Sequence, residues 1–343
     1  MNRFHRFLAC FILFGLIIAG PLFARDWDKD PPWVEVPYAA RVAAIPDVHG
    51  AFPEFAASLK ALGFAKRNSP DGFDLTWTGG KDLLIFTGDI TDRGTHTKEC
   101  YDAVMSLEKQ AAAAGGRVIV LLGNHECLLL NGTTEKWANT LKPPKKQHYQ
   151  NTIDSFVRGG LDFHQAISDK GTYGSWIRRR PLFAIVNGWL FVHGGLPKPA
   201  TTRSNMAADY REAVDKGDYS KGVFMAETGP LWHREWWDDA TLVDENLKLF
   251  GVMGVIVGHT IGAPGGVEGN INQRDQRIIG IDVGMTPAYG NSKGGGLLMT
   301  ITDGKLVFRA KYPDRPETLL FSTPAPVATP TSVAPAAGAG GRR

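Results

Sequence analysis

The chain has 343 residues, of which 43% are hydrophobic, 10% aromatic and 21% charged. This composition excludes the disordered class of low hydrophobicity and high charge, and also collagen-like and coiled-coil chains. The 38 lysine and arginine residues against 35 aspartate and glutamate residues give a formal net charge of +3. So small an excess predicts no nucleic-acid partner.

The first 24 residues have the pattern of a secretory leader. Arg3 and Arg6 precede the apolar run Phe7–Ile18, and the small residue Ala24 follows a short breaker segment. The run is shorter than the ~20 apolar residues that a membrane-spanning helix needs. We therefore expect a signal peptide over 1–24, export to the periplasm or the medium, and no stable membrane insertion after cleavage. An uncleaved N-terminal membrane anchor is the alternative.

Strand and helix signals alternate in the next hundred residues. Short apolar runs are separated by segments in which apolar residues recur at helical spacing. A βαβαβ succession is typical of a largely parallel sheet covered by helices. The predicted elements are a strand at Arg41–Ile45, a helix from Phe52 to Leu62, a strand at Leu83–Phe86, a helix at Lys98–Ala114 and a strand at Val118–Leu122.

The rest of the chain predicts a helical cap, further strands and a loose tail. The segment from about 128 to 180 is richer in polar and helix-forming residues, as in a cap. From Ser322 to Arg343 the sequence is mostly Pro, Ala, Thr and Gly, which predicts disorder and leaves a domain over 25–321. The later strands are predicted at Leu190–Val192, Val255–Val257, Arg277–Ile281, Leu297–Thr302 and Leu306–Ala310.

Five short polar motifs each follow an apolar run that predicts a strand. In open α/β sheets ligands bind beyond the carboxyl ends of the strands. Four of the nine histidines lie in these motifs together with carboxylates and one amide, a donor set that suits Mn, Fe or Zn. One such histidine is more often structural, but five coinciding motifs favour a dinuclear metal site. The motifs are Pro46–Gly50, Gly88–Gly94, Gly123–Glu126, His193–Gly195 and Gly258–Thr260.

The ordered motifs resemble those of the calcineurin-like metallophosphoesterases, and specifically the PPP-type phosphoprotein phosphatases. Gly88–Gly94, which contains an Asp-Arg pair, and Gly123–Glu126 carry that resemblance. Gly229–Arg234 and Ile281–Met285 are most similar to the bacterial-type Shewanella-like protein phosphatases. The resemblance extends from about Arg41 to Ala310. It implies an α/β fold, the metallophosphoesterase four-layer sandwich of two mixed β-sheets flanked by helices.

The resemblance also implies two divalent or trivalent metal ions, of Mn, Fe or Zn. A carboxylate that bridges them tolerates two cations close together, and two metals can activate a water for attack on phosphorus. The family usually has glycine where Pro46 stands, but that position contributes no ligand. The implied ligands are Asp47 and His49 for one metal, Asn124, His193 and His259 for the other, and Asp89 as the bridge.

The catalytic groups follow from the same resemblance. His125 corresponds to a general acid that protonates the leaving group, and Asp92 to the carboxylate that orients its imidazole. Asp92 also has a simpler interpretation as a helix N-cap. Arg93 and Arg234 correspond to guanidinium groups that clamp the phosphate oxygens. The implied substrate is a phosphorylated protein, on Ser, Thr or Tyr, or a small phosphate ester.

Other functions remain open at this point. An exported phosphodiesterase, nucleotidase or small-molecule phosphatase on the same fold is the main alternative, although the Asp92-Arg93 pair favours a monoester. A non-catalytic binding protein is disfavoured because every ligand-type residue and His125 are present.

Three weaker features concern aromatic and histidine side chains outside the proposed ligand set. Tyr289 lies where the family often has a tyrosine that faces the site. The cluster of Trp232, Trp236 and Trp237 either floors a substrate groove or packs beneath the site. His96 is expected at the start of a helix rather than as a ligand.

Overall fold

The computed structural model describes residues 25–290 and 292–327. The predicted signal peptide over 1–24 and the part of the predicted tail from 328 onward lie outside the described residues. Among the helices of the described part, none is both long and apolar enough to cross a membrane.

Strands and helices alternate along most of the described chain. The strands are β1 (Trp33–Val36), β2 (Arg41–Ile45), β3 (Ala65–Arg67), β4 (Leu75–Trp77), β5 (Leu83–Phe86), β6 (Arg117–Val120), β7 (Phe183–Val186), β8 (Trp189–Val192), β9 (Gly254–Val257), β10 (Asn272–Arg274), β11 (Ile278–Gly280), β12 (Gly296–Thr302), β13 (Lys305–Lys311) and β14 (Thr318–Pro324). The helices are α1 (Phe52–Leu62), α2 (Thr97–Ala113), α3 (Asn124–Leu130), α4 (Thr133–Thr140), α5 (Lys145–Arg158), α6 (Phe163–Ile167), α7 (Thr172–Ile177), α8 (Arg203–Lys216) and α9 (Ala240–Phe250).

Two six-stranded sheets pack against each other. One has the strand order β1-β7-β8-β9-β11-β10 and the other β14-β13-β12-β2-β5-β6, and both mix parallel and antiparallel pairs. The Trp189 ring of β8 lies 4.6 Å from the Phe308 ring of β13, so the core runs between the sheets. Outside them, Phe55 of α1 packs on Phe86 of β5. The predicted α/β fold of two mixed sheets flanked by helices is confirmed.

The parallel strands of the two sheets decide where the site lies. In one sheet β2, β5 and β6 are parallel neighbours, and in the other β8, β9 and β11 are. Parallel strands end at the same edge of a sheet. The polar motifs that follow β2, β5, β6, β8 and β9 are therefore delivered together.

The segment predicted as a helical cap consists of short helices. The helices α4, α5, α6 and α7 lie within 128–180, and α3 begins slightly earlier, at Asn124. The helices α4 and α5 pack together, and α5 also packs on α2. This arrangement places α4 and α5 beside the loops that follow β5 and β6.

The structure adds a strand at the start of the domain and corrects an expectation at its end. The strand β1 lies before the first predicted strand and pairs in parallel with β7. The strand β14 continues to Pro324, so the start predicted for the disordered tail, Ser322, is too early in the chain. Its backbone pairs with β13 across Ser322 and Thr323, and such pairing needs no large apolar side chain. Composition alone therefore missed these residues.

Candidate metal centre

The predicted site residues meet at the carboxyl ends of five strands. Asp47 and His49 follow β2, Asp89 follows β5, and Asn124 opens α3 just after β6. From the other sheet, His193 follows β8 and His259 follows β9. The side chains of all these residues are buried. The structure therefore brings together the residues that the sequence analysis proposed as metal ligands.

Sharp backbone turns aim these side chains inward. His49, Asp89 and His259 have φ angles of 45°, 51° and 65°, in the left-handed region that residues with a Cβ rarely adopt. The Asp89 carbonyl accepts hydrogen bonds from the N–H groups of Val48 and His49, at 3.0 and 2.9 Å, which ties the first two loops together. Such backbone strain is typical of functional sites.

Two groups of side chains are each compact enough to hold a metal ion. Their ligand atoms lie within 4.8 Å of one another in each group. Asp89 belongs to both, as a bridging carboxylate requires. The groups are His49, Asp89 and His125, and Asp89, His193 and His259.

Backbone carbonyls fix the tautomers of two histidines. His49 Nδ1 lies 2.7 Å from the Thr91 carbonyl and His193 Nδ1 lies 2.9 Å from the Thr87 carbonyl. A carbonyl only accepts, so both Nδ1 atoms carry a proton, and Nε2 is the ring nitrogen that each neutral imidazole would offer to a metal ion. Metal-ligating histidines are typically oriented in this way. Burial lowers the pKa of His49 to about 3, which keeps it neutral as a ligand must be.

Asn124 and Asp47 are the two predicted ligands that lie outside the compact groups. The Asn124 side-chain oxygen lies 2.8 Å from His193 Nε2. Both carboxylate oxygens of Asp47 accept the His259 N–H at 3.0 Å, and Asp47 belongs to neither compact group. A Cβ at Gly258 would lie 2.3 Å from an Asp47 oxygen, so glycine is needed there for the close approach.

The charge of the site favours bound cations. Burial and the Asp282 carboxylate raise the pKa of Asp47 well above its usual value, and burial raises that of Asp282 to about 6. Burial alone would lower the pKa of His193, but Asp89 and Asp47 raise it to about 9. In the protein alone, a proton on His193 therefore offsets part of the crowded negative charge. Metal ions can take the place of that proton, so the donor set fits two of them.

Glu126 holds the loop that carries Asp89, a role that sequence reasoning missed. One carboxylate oxygen accepts the N–H groups of Asp89 and Gly123, at 2.8 and 3.0 Å. The other accepts those of Ile90 and Thr91, at 2.9 and 3.1 Å. Because four backbone donors converge on one buried carboxylate, Glu126 fixes the position of the bridging residue.

His125 is paired with a fully buried carboxylate. His125 Nδ1 lies 2.7 Å from Asp92 Oδ2. Asp92 is not a helix N-cap, because α2 begins at Thr97 with His96 at the N-cap position. The N-cap interpretation of Asp92 is therefore wrong, and the prediction that His96 starts a helix is confirmed.

The two predicted phosphate-binding arginines lie on the wall of one pocket. Arg93 Nε donates to the Tyr289 hydroxyl at 2.8 Å, so Tyr289 does face the site. Arg234 donates to the His259 carbonyl at 2.9 Å and to Thr260 Oγ1 at 2.7 Å. The pocket has a volume of about 250 Å³. It is lined by His49, Asp89, Arg93, His125, Arg234, His259, Thr260, Ile261, Asp282 and Tyr289.

Two other features find their place around this pocket. Trp236 and Trp237 are buried and do not line it, and the Trp236 ring packs on Gly195. These two tryptophans therefore pack away from the pocket, whereas the half-buried Trp232 ring lies 6.1 Å from that of His259. Asp282 faces the pocket although its role was not predicted. The signal was available, because Asp282 follows β11 as the other site residues follow their strands.

Comparisons with known proteins agree with this geometry. Residues 40–262 match the family described as calcineurin-like phosphoesterase. The chain is 26% identical to Shewanella-like protein phosphatase 2 of Arabidopsis thaliana, over 72% of this chain and 71% of that one. It is 28% identical to a symmetrical bis(5'-nucleosyl)-tetraphosphatase of a Janthinobacterium species, over 48% of this chain and 52% of that one.

A similar fold is found among solved structures. The cold-active protein-tyrosine phosphatase of a psychrophilic Shewanella species superimposes with a TM-score of 0.65 at 24% sequence identity. The alignment covers 85% of this chain and 82% of that one.

Proposed function

This chain belongs to the calcineurin-like phosphoesterase family, and we propose that it hydrolyses phosphate monoesters on the Ser, Thr or Tyr side chains of phosphorylated proteins. Its family and its two metal-capable groups make it a metal-dependent phosphoesterase. One observation carries the finer proposal. Arg93, Arg234 and His125 line the same pocket as residues able to hold metal ions.

The proposed metal ligands are those expected from the sequence. Asp47 and His49 would hold one ion, Asn124, His193 and His259 would hold the other, and Asp89 would serve both. Two bound ions of Mn, Fe or Zn supply Lewis-acid polarisation of the phosphoryl group and lower the pKa of an attacking water.

The arginines bind the oxygens of phosphate that do not leave. A guanidinium presents a planar fork of N–H donors that matches these oxygens. Tyr289 supports Arg93, and backbone and hydroxyl oxygens support Arg234. A monoester dianion benefits from both positive charges.

His125 donates a proton to the leaving oxygen through Nε2, while Asp92 holds Nδ1. In the structure an Arg93 nitrogen lies 3.3 Å from His125 Nε2. That contact requires Nε2 to accept. The proposed acid role requires a proton on Nε2, so this contact has to be broken before His125 can donate.

The size of the pocket supports a protein substrate. At about 250 Å³ it is smaller than the ~300–1,000 Å³ typical of sites that enclose a drug-sized ligand. It accommodates a phosphate and the first atoms of a side chain, with the rest of the substrate outside. The Arabidopsis relative is named as a protein phosphatase, which supports the same class.

A nucleotide substrate is the second candidate, since the Janthinobacterium relative is named as a dinucleoside tetraphosphatase. Initial rates on phosphoserine, phosphothreonine and phosphotyrosine peptides, a dinucleoside tetraphosphate and sugar phosphates distinguish the two. We expect the highest kcat/KM on a phosphopeptide. A tenfold preference for the dinucleotide would overturn the proposal. Arg93→Ala should also weaken inhibition by free phosphate.

We also propose that the chain is exported, with a signal peptide over 1–24 and a periplasmic or secreted location. The order of basic residues, apolar run and small residue supports this proposal. Sequencing the mature N-terminus tests it, with Arg25 as the expected first residue. A cytosolic chain that begins at Met1 would contradict export, and a membrane-bound one would favour the anchor.

A further inference from the structure

Two threonines from the cap helices contact the carboxylate that holds His125. We propose that Thr152 of α5, assisted by Thr134 of α4, is a positioning residue for this proton donor. The inference rests on the proposed function, because it requires His125 to protonate the leaving group. Neither threonine lines the pocket, so each acts through Asp92.

The backbone around Asp92 needs external support. Asp92 and Arg93 have φ angles of 69° and 72°, two consecutive left-handed residues that carry a Cβ. This conformation is sterically disfavoured and persists only where neighbours hold it. The helix α5 does so, since the Arg93 N–H donates to the His148 carbonyl at 2.6 Å and the Asn151 side-chain amide donates to the Arg93 carbonyl at 2.8 Å.

The Thr152 hydroxyl contacts both the main chain and the side chain of Asp92. It accepts the Asp92 N–H at 3.0 Å and donates to Asp92 Oδ1 at 3.0 Å. Thr97 Oγ1 lies 3.3 Å away and donates to its second lone pair. A hydroxyl has one hydrogen and two lone pairs, so this fully buried group is completely used.

The remaining oxygen of the carboxylate is held just as tightly. Asp92 Oδ2 accepts from His125 Nδ1 at 2.7 Å and from Thr134 Oγ1 at 3.3 Å. The last torsion of an aspartate side chain is broad, so rotamer preference alone does not set the carboxylate plane. The threonines set it. With Oδ1 held by Thr152, Oδ2 stays directed at His125, and Nε2 stays directed into the pocket.

Thr152→Val tests the inference because valine keeps the branched shape and removes the hydroxyl. We expect kcat for alkyl phosphates to fall about 10- to 100-fold, as for partners that orient a ligand or base. Aryl phosphates with weakly basic leaving groups need little proton donation, so their rates should fall less than about threefold. Thr152→Ser restores the hydroxyl and should recover most of the rate.

Ser155→Ala is the matched control. Ser155 is equally buried on α5, and its hydroxyl contacts the Thr152 carbonyl and the Lys98 N–H but not Asp92. The change should lower thermal stability as a lost buried hydroxyl does, without a dependence on the leaving group. His125→Asn in the same substrate series reports whether the proposed acid role holds.

A second measurement does not depend on turnover. The proton on His125 Nδ1 in its 2.7 Å hydrogen bond should give a downfield NMR resonance that His125→Asn removes. Thr152→Val should move or broaden this resonance in the metal-free protein, and Ser155→Ala should leave it in place. If Thr152→Val does not fold, Thr134→Val carries both measurements with a smaller expected effect.

The outcomes separate the two hypotheses. A His125→Asn defect that grows with leaving-group pKa, together with a uniform Thr152→Val defect and an unmoved resonance, would overturn the positioning role and leave the acid role intact. A His125→Asn defect that is independent of leaving group would overturn both. The positioning role is supported if the rate losses of His125→Asn and Thr152→Val depend on the leaving group in the same way and Thr152→Ser recovers most of the rate.

Discussion

The strand-end side of the site and its cap side are built in different ways. The strand-end side consists of the polar residues that follow β2, β5, β6, β8 and β9. The cap side consists of Thr134, Tyr149 and Thr152, which α4 and α5 supply. On the first side the side chains of His49, Asp89, His193 and His259 themselves belong to the groups that could hold a metal ion. On the second side the contacts go to Asp92, Arg93 and His125, the groups proposed to bind and protonate the substrate.

This difference indicates that the two sides have different roles. The strand ends place the metal-capable residues. The cap helices hold the left-handed pair at Asp92 and Arg93 through hydrogen bonds from α5. Changes on the strand-end side should therefore abolish metal binding, whereas changes on the cap side should alter the efficiency of an otherwise intact site.

The largest effect is expected from Asp89→Asn on the strand-end side. A neutral amide cannot bridge two cations as a carboxylate does. We expect activity to fall more than about 10⁴-fold, since several kcal/mol of transition-state stabilisation depend on the ions. Elemental analysis should give about two metals per chain for the unchanged protein and fewer for the variant. The control is His96→Ala, and equal losses in the two variants would refute the bridging role.

His125→Asn should have the next largest effect, at the junction of the two sides. Hydrolysis of alkyl phosphates should fall about 10²–10⁴-fold, the usual scale of general acid catalysis. Aryl phosphates should lose less, because their leaving groups are weaker bases. Rates over a series of substituted esters measure this dependence. Metal content should stay at the level of the unchanged protein if the strand-end side is independent, so a loss of metal would assign His125 to that side instead.

Glu126→Gln, on the strand-end side, should lower the stability of the fold. The amide that replaces one carboxylate oxygen no longer accepts the backbone N–H groups that converge there. Each buried donor left without a partner costs about 1–3 kcal/mol, so the free energy of unfolding should fall by at least that amount. Urea denaturation of the metal-free protein measures it. Glu212→Gln, on the exposed face of α8, is the control and should leave the free energy of unfolding nearly unchanged. Similar changes in the free energy of unfolding of the two variants would show that Glu126 does not hold the loop that carries Asp89.

Tyr289→Phe should give the smallest effect. It removes the hydroxyl that accepts from Arg93 Nε at 2.8 Å, and a partly exposed hydrogen bond contributes about 0.5–1.5 kcal/mol. We expect KM and the inhibition constant of phosphate to rise about 2- to 10-fold with little change in kcat. Tyr38→Phe, an exposed tyrosine outside the pocket, is the control. A reduced kcat with unchanged KM would place Tyr289 in the chemical step.

The sequence predicted the strand-end side because its signals are local. Each strand there is a short apolar run such as Leu83–Phe86, and each polar motif follows within a few residues. Parallel pairing then brings the motifs together without further information. The same rule applied to Asp282 after β11 would have added one more residue of the pocket. The edge strands β1 and β14 were missed although each contains apolar residues, and the structure identifies them by their pairing with β7 and β13.

Only the tertiary structure decided the cap side. Thr152 lies 60 residues from Asp92 in the chain and Thr134 lies 42 residues from it, and neither belongs to a motif. A threonine in a helix has no pattern that distinguishes a positioning hydroxyl from an ordinary one. Its role depends on the packing of α4 and α5 against the loop after β5, because a hydrogen bond forms only when donor and acceptor meet within about 3 Å. The sequence alone thus determined the fold and the chemistry of the strand ends, whereas packing decided which buried hydroxyls orient that chemistry.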